Sequence, residues 1–169
     1  MHTLEIHNKH HHLLFQEETM SSIMQDSAHK AALPAIPEMK LELVPLPVAD
    51  VDRSKDFYEH KLGFNVDHDV KISDDMRVVQ MTPPGSACSI VIGRGMGDLD
   101  KVPPGMVKGL HLVVADIQKS RAALAARGVE LSEIVDMGGI LYVWLSDPDG
   151  NSWALQEITA QARRPTPTV

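Results

Sequence analysis

The chain has 169 residues, 43% of them hydrophobic, with a formal net charge of −7, one cysteine and nine histidines. That length and composition suit one globular domain, or two small modules sharing a core. The acidic balance argues against a nucleic-acid partner, whose phosphates need clustered Lys and Arg, and a lone cysteine excludes an internal disulfide scaffold.

The opening MHTLEIHNKHHHLLFQEETM holds no apolar run of signal length, and Glu5, Glu17 and Glu18 interrupt it. No later stretch approaches the roughly 18 apolar residues of a membrane span. A soluble cytoplasmic protein without membrane contact is expected. Residues 1–38 keep no steady period and close on Pro34 and Pro37, so they read as a flexible extension with a short helix near Ser21–Lys30. Six histidines (His2, His7, His10, His11, His12 and His29) fall in this stretch. The tract His10–His12 lacks fixed geometry and reads as solvated polar sequence. The tail 161–169, ending RRPTPTV, is expected to be disordered.

Between these ends the chain repeats itself. Val48–Tyr58 (VADVDRSKDFY) aligns with Val114–Leu124 (VADIQKSRAAL) at an offset of 66. An offset of 65 pairs Gly63 with Gly128, and Gly85 of TPPGS with Gly150 of DPDGN. Landmarks that keep their spacing imply two copies of one supersecondary unit. Each copy predicts a strand (41–48; 109–114), an N-cap at Asp50 or Asp116, and a helix ended by Gly63 or Gly128. Val51, Ser54, Tyr58 and Leu62 share one helix face, as do Ile117, Ser120 and Leu124. Three strands follow: 64–71, 76–82 and 87–93, then 129–135, 140–146 and 152–158. TPPGS and DPDGN are turn chemistry within the last hairpin of each copy.

The fold class is therefore α+β: two tandem βαβββ modules forming a cupped mixed sheet with helices on the outer face. The domain spans 39–160, with module one at 39–93, a linker at 94–105 and module two at 106–160. GRGMGD (93–98) lacks dinucleotide-loop spacing, and Pro103–Pro104 leave little room for a following helix.

The runs VADVDRSKDFYEHKLGF (48–64), VADIQKSRAALAARGV (114–129) and DPDGNSWALQE (147–157) resemble the vicinal oxygen chelate superfamily. That superfamily includes glyoxalase I, extradiol dioxygenases and bleomycin-resistance proteins. The resemblance implies a divalent metal inside the cup, with ligands from the first and last strands of each module. Counting seven residues back from Asp50 and Asp116 reaches Leu43 and Gly109; four residues past Gly85 and Gly150 lie Ser89 and Ala154. Leu, Gly and Ala cannot ligate, and a lone serine hydroxyl is a poor donor. No cofactor is expected, and the cup is expected to bind a small organic molecule without metal.

A shift of two residues keeps a strand face and reaches His111 and Gln156. These two are the only candidates for a displaced metal site. Ser89, His111 and Gln156 are expected to orient the ligand, with Leu43, Pro45, Val91 and Ala154 as apolar wall. His111 is the candidate for acid–base catalysis. The alternative reading is a metal-dependent lyase, isomerase or ring-cleaving dioxygenase. Tyr142 and Trp144 share a strand face and could stack on a planar ligand, whereas parity puts Trp153 and Cys88 on the helix side, Cys88 as a buried thiol. A homodimer is expected, since such modules expose sheet edges.

Overall fold

A computed structural model of the chain describes residues 35–162. The expected helix at 21–30, the rest of the extension up to residue 34 and the tail from residue 163 lie outside the described residues. Module one runs β1 (Leu43–Pro45), α1 (Val51–Asp56), β2 (Asn65–Lys71), β3 (Arg77–Thr82) and β4 (Ser89–Arg94). A short 3-10 turn, Gly97–Lys101, occupies the linker. Module two runs β5 (Leu110–Val113), α2 (Ile117–Ala126), β6 (Val135–Asp136), β7 (Ile140–Ser146) and β8 (Ser152–Ile158). Each module folds its strands into one open four-stranded mixed sheet, in orders β1-β4-β3-β2 and β5-β8-β7-β6. The first and last strands of each module pair in parallel, and the other neighbours are antiparallel. The protein is thus α+β, built of two βαβββ modules. Among the described residues no helix is long and apolar enough to cross a membrane.

Local chemistry accounts for the helix ends. An Asp50 side-chain oxygen accepts from the Arg53 N–H at 3.0 Å, and an Asp116 oxygen from the Lys119 N–H at 2.9 Å. Each bond satisfies a donor that the first helical turn leaves free. Gly63 and Gly128 close the helices at φ +75°. The spacing predicts a continuous first helix, but after Asp56 the backbone widens into a π-turn over Phe57–Lys61, with Leu62 N–H donating to the Phe57 carbonyl at 3.0 Å. The wider turn carries one extra residue, and Phe57 and Tyr58 are both buried there.

Two strands are shorter than expected. Of 41–48 only Leu43–Pro45 is strand. The carbonyl of Glu42 and the N–H of Leu46 bond to β4, so the N side of Pro45, which has no hydrogen to give, faces the free edge. After Leu46 the chain leaves β4, and the Pro47 carbonyl accepts from the Asn151 amide and the Gly105 N–H. In module two, 129–135 yields only the β6 stub because Ser132 intervenes. Its hydroxyl accepts from the Trp144 N–H at 2.9 Å, taking a bond the ladder would otherwise make. Cys88 is half-buried just before β4, not fully buried; β4 begins at Ser89, so the thiol is not held under the sheet.

One hydrophobic core serves both modules. Leu46, Val79, Met81, Ile90 and Ile92 enter it from the first sheet, and Val143, Leu145, Trp153 and Leu155 from the second. The Trp153 ring lies 5.9 Å from both Tyr58 and Phe64, on the helix side as strand parity requires. Burying side chains of this size stabilises by about 1.5–3 kcal/mol each.

The DPDGN turn does more than reverse the chain. Asp147, 5% exposed, accepts from the N–H groups of Asp149 and Asn151 at 2.9 and 2.8 Å. Its second oxygen accepts from the Tyr58 hydroxyl and the Asn151 amide, each at 2.8 Å. Asn151, fully buried, also donates to the Pro47 carbonyl and accepts from the Val107 N–H, both at 3.1 Å. Arg53 and Ser54 of α1 bond to Asp149. A turn of module two thereby holds α1, Pro47 just past β1, and Val107 in the segment before β5.

Candidate functional site

The seven residues expected to form the cup fall into two groups, each held within one module. In module one, Leu43 stands opposite Ser89 and Pro45 opposite Val91. Ser89 is buried, and its hydroxyl is engaged by Thr82 Oγ1 at 2.6 Å and by the Gln80 amide at 3.3 Å. Thr82 in turn bonds to Asp67. In module two, His111, Ala154 and Gln156 lie together. Among the described residues no hydrogen bond or ring contact joins the two groups.

The register of β5 corrects one expectation. Equal counting puts Gly109 beside Ala154 and His111 beside Gln156. Instead His111 is opposite Ala154 and Val113 opposite Gln156. Leu46 N–H donates to Val91 and Val114 N–H to Gln156, each at 2.9 Å, so these are matching points of the two modules. From Leu46 the chain takes four residues to its cap Asp50; from Val114 it takes two to Asp116. The missing pair slides β5 by two, and His111 occupies the place that Leu43 holds in module one. Gly109 precedes the strand, its N–H donating to Ser152 Oγ at 2.9 Å.

His111 and Gln156 still meet, diagonally across the strands. His111 Nδ1 lies 3.0 Å from Gln156 Oε1, and the Gln156 amide donates to the Tyr142 hydroxyl at 3.2 Å. An amide oxygen can only accept, so Nδ1 carries the proton of the neutral ring and Nε2 is left as an acceptor. Tyr142, accepting from Gln156, retains its own proton to donate. The Tyr142 and Trp144 rings stack at 5.9 Å and 14°, and His111 stands edge-on to Tyr142 at 5.8 Å. Trp144 is 38% exposed and Val113 69%. Alternation turns this face away from the core that holds Val143, Leu145, Trp153 and Leu155.

The places where the fold would carry metal ligands hold Leu43, Ser89, His111 and Ala154. One imidazole beside an engaged hydroxyl does not fit a divalent ion, which takes three protein donors in catalytic sites. Among the described residues no three His, Cys, Asp or Glu side chains converge.

A cleft of about 600 Å³ lies elsewhere, along the free edge of β5. Leu112, Val114 and Leu124 line it from module two, Phe64 and the turn Pro83–Ser86 from module one. Of the seven expected residues only His111 reaches it. Arg127, at its rim, carried no signal in the sequence beyond ordinary helix-end polarity. Gln80 and Thr82 were equally silent, since their polar alternation on β3 matches any half-solvated strand.

Residues 40–155 match the family described as the Glyoxalase/Bleomycin resistance protein/Dioxygenase superfamily. The chain belongs to this superfamily. Among solved structures of superfamily type, it is similar to TnmS3, described as an antibiotic binding protein from Streptomyces sp. CB03234. Identity is 29% over 74% of this chain and 100% of that one, with a TM-score of 0.65. A glyoxalase/bleomycin resistance protein from the same organism is 31% identical over 69% and 98% of the two chains, TM-score 0.59. A superfamily member from Sphaerobacter thermophilus is 31% identical over 71% and 98%, TM-score 0.62. No curated protein matches the chain. The superfamily hosts both binding proteins and enzymes, so membership leaves the activity to the residues of the site.

Proposed function

We propose that this protein binds a small organic molecule, without metal, on the β5–β8–β7 face that carries His111, Gln156, Tyr142 and Trp144. The observation that carries this reading is the stacked Tyr142–Trp144 pair set beside the His111–Gln156 hydrogen bond. Pre-stacked rings, Trp144 exposed and Tyr142 half-buried, offer a flat apolar surface at little ordering cost. His111 Nε2 offers an acceptor, and the Tyr142 hydroxyl a donor. A planar ligand with one donor and one acceptor at its edge matches that set. Ala154 stands opposite Trp144, and Val113 opposite Gln156, while Leu43, Pro45, Ser89 and Val91 make the corresponding wall of module one. Similarity to a protein described as antibiotic-binding supports a small-molecule ligand.

A second copy is part of this reading, in a cytoplasmic homodimer. Each sheet has only four strands, and β1 has no partner on its outer edge among the described residues. Leu43 on that strand is a solvent-exposed hydrophobic. Sedimentation at working concentration should give twice the chain mass, and a monomer alone would reject the dimer.

Binding is tested by Trp fluorescence against a panel of planar heteroaromatic compounds, with and without chelator. Trp144 quenching that survives chelator, and weakens about tenfold in His111→Ala, is expected. Binding or turnover that chelator abolishes and added zinc, iron or manganese restores would overturn the reading. It would favour the lyase, isomerase or dioxygenase alternative.

A further inference from the structure

We propose that the cleft along β5 is a second site, which takes a small organic anion with an apolar body. Leu62, Phe64, Leu112, Leu124 and Leu155 give it apolar wall, and Ser86, Ser120 and His111 add polar groups. No Asp or Glu lines it. At one end lies Arg127, whose guanidinium has no carboxylate partner among the described residues. The guanidinium rests on Gly63, where a Cβ would come within 2.8 Å of Arg127 Nη1. The glycine therefore leaves room for the cation to lie down against the cleft rim. A guanidinium takes carboxylate, sulfonate or phosphate oxygens in pairs, and more strongly beside apolar walls than in open water. The cleft volume of about 600 Å³ accommodates a fused two-ring body with a substituent. In a chain of net charge −7, a cleft free of carboxylates with a spare cation at its end selects for anions.

This site does not rest on the ring face of Tyr142 and Trp144, and its test separates the two. Full-length protein is titrated with 8-anilinonaphthalene-1-sulfonate and with neutral N-phenyl-1-naphthylamine, which has the same rings without the sulfonate. Arg127→Gln should weaken the sulfonate about tenfold and change the neutral dye less than about twofold. Ala123→Trp, placed on an exposed helix position that lines the cleft, should weaken both. In a Trp144→Ala background, Arg127→Gln should still weaken the sulfonate about tenfold. Far-UV circular dichroism checks that each variant is folded. The proposal is overturned if the sulfonate fails to bind the unsubstituted chain, or binds Arg127→Gln undiminished. It is also overturned if Ala123→Trp has no effect, or if the Arg127→Gln loss disappears in the Trp144→Ala background.

Discussion

The Tyr58 hydroxyl donates to Asp147 Oδ2 at 2.8 Å, across 89 positions of sequence, and joins the first helix of one module to the hairpin turn of the other. The same hydroxyl accepts from Trp153 Nε1 at 3.2 Å. Both partners are buried, so neither is satisfied by water when the bond is lost. Tyr58→Phe should therefore cost about 1–3 kcal/mol of unfolding free energy, read from urea denaturation. A loss no larger than that of an exposed Tyr→Phe change would show that the bond is not holding the modules.

Asn151→Ala should cost more than Tyr58→Phe. It strips Asp147, the Pro47 carbonyl and the Val107 N–H of a partner in one change. Hydrogen exchange should show the Val107 amide losing protection before the β7–β8 ladder does. Equal protection in both would contradict this order.

The buried hydroxyl also predicts an alkaline limit. Desolvation first, and the Asp147 carboxylate second, hold the Tyr58 pKa well above its ordinary value. In the unfolded chain the phenol loses its proton near pH 10. Above that pH the unfolded state binds fewer protons than the native state, so stability falls as pH rises. The denaturation midpoint should drop above about pH 10, and less steeply in Tyr58→Phe. Matching slopes in the two proteins would refute the assignment.

At the acid end, Asp69 sits between cations on the helix side of the first sheet. Hydrogen bonds from Arg77 at 2.8 and 3.0 Å, and from Lys55 at 2.9 Å, hold its carboxyl well below the usual carboxylate range. A depressed carboxyl contributes stability above the ordinary range and loses it as pH falls through that range toward the folded value. Carbon-detected NMR titration should find Asp69 still ionised at pH 3, and Arg77→Met should raise its midpoint. An Asp69 midpoint unmoved by Arg77→Met would count against the pairing.

Two glycines separate backbone strain from collision. Gly85 has φ +80° and open space around it, whereas at Gly105, φ +76°, a Cβ would run into the Asp149 carbonyl. Gly85→Ala should cost about 1–2 kcal/mol, the price of a left-handed side chain. Gly105→Ala should cost clearly more and disturb the DPDGN turn. Similar losses at both positions would show that the turn simply yields.

Much of this was legible in the chain itself. The caps at Asp50 and Asp116 act on N–H groups three residues away, and strand alternation put Trp153 under the sheet and Tyr142 beside Trp144. Other features were not. Asp147 and Asn151 read as turn residues because their partners, Tyr58, Pro47 and Val107, lie in other segments. The π-turn at Phe57 answers to core packing, and Ser132 cut β6 short by a bond to a strand twelve positions on.

The sequence by itself determined the repeat, the order of elements and the superfamily. Those rest on caps, turn glycines and alternation, which act within a few residues. Tertiary structure decided which side chains meet. A parallel strand has no local signal for its register, so only packing of β5 on β8 could put His111 opposite Ala154 and in reach of Gln156. Packing also joined the helix sides of the two sheets in one core, which leaves His111 and Ser89 in separate groups. The composition drew attention to nine histidines; the fold leaves one of them, His111, bonded to an amide beside two stacked rings.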